Sequence, residues 1–439
     1  MVNTVMKRFI IVFLFGLVGY GCNLITNVII SNHLSLDVYG DFAVAWRALQ
    51  LISLLMVFGS TVSANKYVQK YIKSGSSRPR KDFLIWNMTL VSQVFVTVTI
   101  IYFCFIGLAE IAHYHEAWDG EYHLAMYVVL FAPFWALALI FINYALVMGR
   151  SILASFLYSV GVYGAKLIVF GFGFFIFLPQ NYLHLSYLMF AYVFLLFLIG
   201  SFSYGMLPDN DLGHLKYLFS RSLKKKESSA WFELSKQSEV MILCTEVTDV
   251  AGLFILEFLD SVEFDVGFFN VCFVCVKLIL FSLDTLTRLY EMKVTTMSNL
   301  SQEESNQLQK TFYHLDGLRV AIVLVSMAIF YEFAPQILYC FNIDDTTNKI
   351  ILPIMVFGLF FRNSCILRLN FLVANGQDHF CSYVQIIRAV IMIGLGSILC
   401  LHYGLYGVVL ADLLSKVFAF VCLTLKCRKL TPMRFNFLM

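Results

Sequence analysis

Four cations stand inside long apolar runs of this 439-residue chain: Arg47, Lys166, Lys277 and Arg362. An ionisable side chain at bilayer depth is costly and faces a bundle interior or a water-filled cavity rather than lipid. Each of the four therefore needs a counter-charge or an anionic ligand. Guanidinium and ammonium groups replace the hydration of phosphate oxygens through charge-assisted hydrogen bonds, so a set of them at mid-depth suits an anionic head group. Lys277 lies ten residues past Gly267, which at about 1.5 Å per residue is roughly 15 Å along a helix, near a bilayer midplane. Arg47 lies seven residues past Gly40, Arg362 about twelve into its own apolar run, and Lys166 near the middle of another.

The carboxylates offer the competing account of these cations. Glu239, Glu246 and Asp249 follow i, i+7, i+10 spacing on one helix face, where Glu246 or Asp249 can compensate Lys277. Asp284 and Arg288 are i, i+4 and suited to neutralise each other, and Asp412 is placed to serve Arg362 or Arg388. His33, His113, His115 and His123 fall in loops or helix ends without metal-ligand spacing. Cys272 and Cys275 form a CxxC inside an apolar helix with no second Cys or His cluster, and the eleven cysteines imply packing rather than a disulfide framework. The residues show no nucleophile and base pair, phosphate loop or metal cluster, so neither an enzyme nor a metal or cofactor is expected.

The elements that position these charges are membrane helices. With 60% hydrophobic and 13% charged residues and a mean hydropathy of +0.78, the chain has too little polar surface to cover a soluble globule. Apolar stretches of about 20 residues fit spanning helices, whereas barrel strands would alternate over about 10. The spacing predicts an all-α integral membrane protein of about twelve spans, near 9–31, 41–64, 84–109, 124–147, 152–178, 186–206, 238–257, 266–287, 317–339, 350–373, 381–401 and 404–425. The first apolar run is longer than a signal-peptide core of roughly 7 to 15 residues, so it reads as an uncleaved span.

The longest polar interruption, 208–237, carries Lys216, Arg221, Lys224, Lys225, Lys226 and Lys236. It separates a first lobe, 1–207, from a second, 238–439. Cations recur in every other connection: Lys66, Lys70, Lys73, Arg78, Arg80 and Lys81 after the second span, Arg150 after the fourth, then Lys293, Lys310, Lys426, Arg428 and Lys429. The opposite loops hold Glu110, Glu116, Asp119, Glu121, Glu257, Asp260, Glu263 and Asp265, with Lys349 as their one lysine. The bias places both termini in the cytoplasm. The basic runs set topology and touch anionic lipid rather than nucleic acid.

The halves repeat. Gly40 and Gly267 are 227 residues apart, and at that offset Phe42 meets Phe269, Val44 meets Val271, Lys66 meets Lys293, Phe134 meets Phe361, Asn143 meets Asn370 and Gly149 meets Gly376. Six crossings per copy give both the same orientation, the parallel repeat of transporters with a pseudo-twofold along the membrane normal. The equivalent of Arg47 in the second copy is position 274, one i, i+3 step from Lys277.

The segments FLDSVEFDVGFFNVCFVCVKLILFSLDT (258–285), 308–341 ending FAPQILYCF, and 369–416 with LVANGQD and LHYGLYGVVLADLLSK resemble polysaccharide-export flippases of the multidrug/oligosaccharidyl-lipid/polysaccharide flippase superfamily. NHLSLDVYGDFAVAWRALQLI near the N-terminus extends the likeness over most of the chain. The resemblance implies two six-helix lobes around a central cavity and movement of a lipid-linked sugar diphosphate between leaflets of a bacterial inner membrane by alternating access. The expected partners are an anionic lipid-linked oligosaccharide, membrane lipid and a coupling H⁺ or Na⁺, with the protein acting as a monomer. Family cations near the cleft match Arg47 and Lys277; the first span, with only Lys7 and Arg8 at its entrance, departs from the pattern. Arg362 and Lys166 complete the expected substrate contacts, and Glu246 and Asp249 the coupling site. Two other readings stand beside this one. A cation-coupled multidrug exporter of the same fold would have acids dominating its cavity. A membrane glycosyl polymerase or ligase would need sizeable exterior loops, and the longest here is the stretch 110–123. Gly161, Gly164, Gly171 and Gly173 mark the fifth span for bending or for close packing.

Overall fold

The structure is a computed structural model, and it describes residues 2–111, 124–177, 182–205, 225–259, 263–295, 302–344 and 348–430. Most of the stretch 110–123 expected to be exterior, and residues 206–224 with the first part of the central basic seam, lie outside the described residues. So do the side chains of Arg288, Lys293 and Lys310. Among the described residues the chain is helical, as the hydropathy pattern requires. Backbone N–H and C=O groups that face lipid have no water to bond, and a helix satisfies them within one segment.

The order is α1 (Val2–His33), α2 (Leu36–Val57), α3 (Ser60–Lys73), α4 (Ser77–Ile111), α5 (Leu124–Val128), a 3-10 turn (Val129–Phe131), α6 (Ala132–Val147), α7 (Ser151–Phe156), a π turn (Leu157–Gly161), α8 (Val162–Phe177), α9 (Tyr182–Gly205), α10 (Lys225–Leu259), α11 (Glu263–Thr295), α12 (Gln302–Glu332), α13 (Ala334–Cys340), α14 (Ile351–Ala374) and α15 (Asp378–Leu430). Ten of the described stretches are long and apolar enough to cross a membrane. The last of these, α15, breaks at Gly404 (φ 51°, ψ −132°) into two spans, and α10 supplies the twelfth. Large side chains such as Phe172, Phe175, Phe258 and Tyr339, each more than 60% exposed, are the surface that acyl chains would cover.

Two compact units divide the fold, one of residues 1–34 and 41–243, the other of 35–40 and 244–439. The division falls inside α10, several residues past position 237. The basic seam is not a linker throughout, because from Lys225 onward it is the first part of this helix. Trp231 and Ser235 hold that part to the first unit. Trp231 is buried against Phe83 and Trp86, and the Ser235 hydroxyl pairs with Ser63 at 2.5 Å. In the second unit α14 is central, packing against α11, α12 and α15. The start of α2 also belongs there: a Cβ on Gly267 would lie 2.3 Å from the Leu36 carbonyl oxygen, and one on Gly40 would lie 3.1 Å from the Gly267 nitrogen. The repeat pair Gly40 and Gly267 thus meets at one close backbone approach.

Two spans are irregular where the sequence suggests continuity. The second span breaks at Phe58 (φ 48°) and Gly59 (φ 62°), and the α10 backbone fills the notch. The Ser235 carbonyl would lie 2.3 Å from a Cβ on Gly59, and Phe58 stacks on Phe232 at 5.3 Å. The fifth span carries its distortion at 157–161, ahead of most of its glycines. There Gly19 of α1 approaches the Ser159 carbonyl so closely that a Cβ would sit 2.6 Å away, whereas Gly173 packs on Leu188 and Gly171 has open space.

The reversal at Gly404 generates a test. A Cβ on Gly407 would meet the Leu399 carbonyl oxygen at 2.2 Å, while one on Gly394 meets nothing within 4 Å. Gly404 occupies a backbone region nearly closed to other residues, where strain costs about 1 to 3 kcal/mol. Gly404→Ala and Gly407→Ala are expected to lower the apparent melting temperature of the detergent-solubilised protein by several degrees. Gly394→Ala should leave it unchanged or raise it, since Ala gains up to about 1 kcal/mol over Gly in a helix. A thermal-shift series checks the ordering.

Candidate functional site: buried charges in each unit

In the first unit the charge sits in an aromatic and amide setting. Lys166, on α8, is 3% exposed, and Arg47, on α2, is 6% exposed. Lys166 Nζ donates to Asn23 Oδ1 of α1 at 3.3 Å and lies 4.3 Å from the Trp46 ring centroid and 5.5 Å from that of Phe42. Asn23 is held in turn by Asn27, whose amide donates to the Asn23 carbonyl at 2.7 Å. Trp46 is fixed edge-on to Trp135 at 5.4 Å and against Tyr192 at 5.1 Å. Arg47 donates through Nη1 to Gln50 Oε1 at 2.7 Å and lies within Coulomb range of Lys166. Among the described residues Lys166 has no carboxylate within ion-pair distance. Its charge is balanced by an amide dipole and the negative faces of two rings, the arrangement in which a desolvated cation–π contact is worth about 2 kcal/mol. The first unit thus carries two buried cations close enough to feel each other's charge, and Lys166 is seated by neutral groups.

The second unit solves the same problem with acids. Asp249, on α10, accepts from Arg362 of α14 through Oδ2, at 2.9 Å from Nε and 2.8 Å from Nη2, and from Arg388 Nη2 of α15 through Oδ1 at 3.1 Å. Arg362 Nη1 also lies 3.8 Å from Asp284 Oδ1 of α11. Asn363 then donates to Asp284 at 2.9 Å, Thr287 donates to Asn363 Oδ1 at 2.6 Å, and Arg319 of α12 donates to Thr287 at 2.5 Å and to Asp316 at 3.0 Å. A continuous polar chain therefore joins α10, α15, α14, α11 and α12. Asp412 pairs with Lys416 one turn along α15, rather than with Arg362 or Arg388 as its spacing had suggested. A lysine on the same helix face reaches it first. Asp249, in turn, serves the two arginines rather than Lys277. Lys277 is half-buried on α11, with Nζ 4.6 Å from the Phe273 centroid, and Glu246 is exposed on α10.

The structure thus brings Arg47 and Lys166 together in one unit, and Arg362 and Asp249 together in the other. Sequence reasoning passed over Asn23 and Trp46, the two groups that seat Lys166, and over Arg319 with Thr287 and Asn363. Asn23 and Asn27 carried a signal: two amides at i, i+4 in an apolar span satisfy each other and leave capacity for a third group. Glu239 is 4% exposed on α10, beside the Gly59 backbone.

No protein-family model matches the chain, and no curated protein matches it. Solved structures do. An inward-facing multidrug resistance MATE family transporter of the MOP superfamily superposes with a TM-score of 0.71 at 16% identity, covering 97% of this chain and 99% of that one. An outward-facing multidrug resistance MATE family transporter follows at 0.66 and 13%, covering 98% and 97%. A MOP superfamily transporter from Pyrococcus furiosus, described as having a binding pocket of reverse polarity that suggests a different function, superposes at 0.62 and 13%, covering 97% and 96%. At these identities the likeness is one of architecture, and over nearly its whole length the chain has the twelve-helix fold of the MATE transporters.

Proposed function

We propose that this protein is a flippase that moves a lipid-diphosphate-linked oligosaccharide across the bacterial inner membrane by alternating access, in the service of surface polysaccharide assembly. The observation that carries the proposal is the buried pair Arg47 and Lys166, set among amides and rings with no carboxylate on Lys166 among the described residues. A cation seated this way keeps its appetite for an anion, whereas one locked to a carboxylate has spent it. In this reading Arg47 and Lys166 hold the diphosphate, and Lys277, half-buried beside an aromatic ring, supplies a further contact. Arg362 reaches the substrate by exchanging its bond to Asp249, which with Glu246 forms the site for the coupling H⁺ or Na⁺. Both termini are in the cytoplasm and the working unit is a monomer.

The second reading is a cation-coupled multidrug exporter, favoured by the description of the superposed MATE structures. The two separate on the sign of the cargo. Removing one charged donor to a phosphate costs about 1.5 to 3 kcal/mol, roughly a 10- to 100-fold loss. In proteoliposomes, Arg47→Ala and Lys166→Ala are expected to slow translocation of a fluorescent lipid-diphosphate sugar by at least about tenfold, with Arg47→Lys keeping part of the rate. Lys277→Ala should act in the same direction. Normal translocation by the Arg47→Ala, Lys166→Ala double variant at normal abundance would sink the assignment. Efflux of lipophilic cations that acid-to-amide changes abolish would replace it with the exporter.

The ionic chain makes its own demand. Asp249→Asn leaves two buried guanidinium groups short of charge, and breaking such a set costs about 3 to 5 kcal/mol. A clear fall in melting temperature is expected. Glu246→Gln, at an exposed position, should leave the melting curve in place and reduce only the response of transport to an imposed proton or sodium gradient.

A further inference from the structure

Between Asp41 and Asp82 the chain has no acidic residue, while Arg47, Lys66, Lys70, Lys73, Arg78, Arg80 and Lys81 fall in the same interval. Lys66, Lys70 and Lys73 sit on α3 at i, i+4, i+7, together with Asn65 and Gln69, and Ser74 caps the helix. These six residues line a shallow, open recess of about 540 Å³ at the surface. Among the described residues none of the three lysines has a carboxylate partner, and Lys66 Nζ lies 6.0 Å from the ring of its neighbour Tyr67. Asn65 and Gln69 likewise have no hydrogen-bond partner among the described residues. Like charges one turn apart on a helix repel, so this face is electrostatically unfavourable until an anion joins it.

The face is also rigid. The opposite side of α3 is buried through Ser60, Ser63, Ala64 and Val68. It is pinned to α10 by Ser63 against Ser235, by Tyr67 Oη donating to the Ala230 carbonyl at 3.3 Å, and by Trp231 Nε1 donating to Tyr71 Oη at 3.0 Å. The lysine row therefore has a fixed backbone. Val62, Lys66, Gln69 and Lys73 lie in one stripe at helical spacing. Val62, 37% exposed, stands at the end of the stripe nearer the membrane span, and Ile72, 40% exposed, flanks its other end. Exposed apolar side chains beside a row of ammonium groups suit a ligand that joins an acyl chain to a phosphate. A soluble phosphate has no use for Val62.

We propose that the outer face of α3, through Lys66, Lys70 and Lys73 with Asn65 and Gln69, is a binding site for the phosphate head group of a membrane lipid. It takes a dianionic phosphomonoester or diphosphate in preference to a zwitterionic head. The site lies within the first unit and does not depend on the transport reading. By the positive-inside bias it belongs to the cytoplasmic leaflet, where each nearby Lys contributes attraction to anionic lipid that fades within a Debye length.

The test is native mass spectrometry of the full chain released from micelles that contain phosphatidic acid and phosphatidylcholine in equal amounts. The wild-type protein is expected to retain one phosphatidic acid in preference to phosphatidylcholine, and Lys66→Gln, Lys70→Gln, Lys73→Gln together to cut that preference roughly tenfold or more. Lys429→Gln, exposed on α15, should leave it intact. All three changes are at exposed positions and relieve repulsion, so an unaltered melting temperature confirms that the fold persists. A second variant, Val62→Asn, is expected to weaken phosphatidic acid retention several-fold while leaving any binding of inorganic pyrophosphate unchanged. Equal retention by the triple variant would overturn the site. Displacement of phosphatidic acid by millimolar pyrophosphate, with no effect of Val62→Asn, would overturn the lipid assignment and make a free phosphate compound the ligand.

Discussion

A charge buried in an apolar interior must be compensated in place, and the two halves of this chain meet that demand by different chemistry. Taking an ammonium or guanidinium group out of water costs several kcal/mol even after relaxation. In the second unit carboxylates meet the cost, with Asp249 between two arginines and a chain of hydroxyl and amide groups continuing to Arg319 and Asp316. Around Lys166 in the first unit dipoles and aromatic faces do the work. The net charge buried with Lys166 is therefore positive, and that around Asp249 is close to neutral. A buried positive centre favours an anion beside it. A neutralised network ties helices together and responds when one of its carboxylates changes partner. Similar folds in the two repeats thus need not do similar work.

The helix breaks fall where they serve this asymmetry. Arg47 is carried on α2, eleven residues before the left-handed pair Phe58 and Gly59, and Lys166 on α8, five residues after the π turn 157–161. π turns within helices recur at functional sites because the extra residue turns a side chain out of register and leaves carbonyls to be satisfied elsewhere. Here the compensation comes from close neighbours: the α10 backbone against Gly59, and Gly19 against Ser159. Irregular backbone at membrane depth is tolerated where protein surrounds it. Both breaks meet that condition within the first unit.

Much of the fold was legible because a bilayer leaves few options. Apolar runs of helix length, cations in every other connection and the 227-residue register lead directly to twelve spans in two copies. The register even anticipates backbone detail. Gly149 and Gly376 both hold positive φ, 83° and 71°, just after α6 and α14, so a pairing noticed as two letters is one C-terminal turn used twice. The breaks were less legible. Glycine content pointed into 161–173, yet the distortion begins at Leu157, where Gly19 of the partner helix α1 packs against Ser159. Charge pairing was legible only in part. Asp412 meets Lys416 through local geometry that spacing contains, whereas the link from Asp249 to Arg362 and Arg388 spans more than a hundred residues, and no local pattern encodes it.

The same reasoning explains why composition alone could not rank the buried cations. Arg362 and Lys166 look alike as letters: each is a basic residue well inside an apolar span. What separates them is the neighbour supplied by another helix, a carboxylate for Arg362 and an asparagine for Lys166. The i, i+4 amides of Asn23 and Asn27 are the one local trace of that difference. An amide satisfied by its own helix remains free to accept from an ammonium group without cancelling its charge. A polar neutral partner fixes the position of Lys166 and preserves its field. An aspartate at position 23 would have given the position and removed the field.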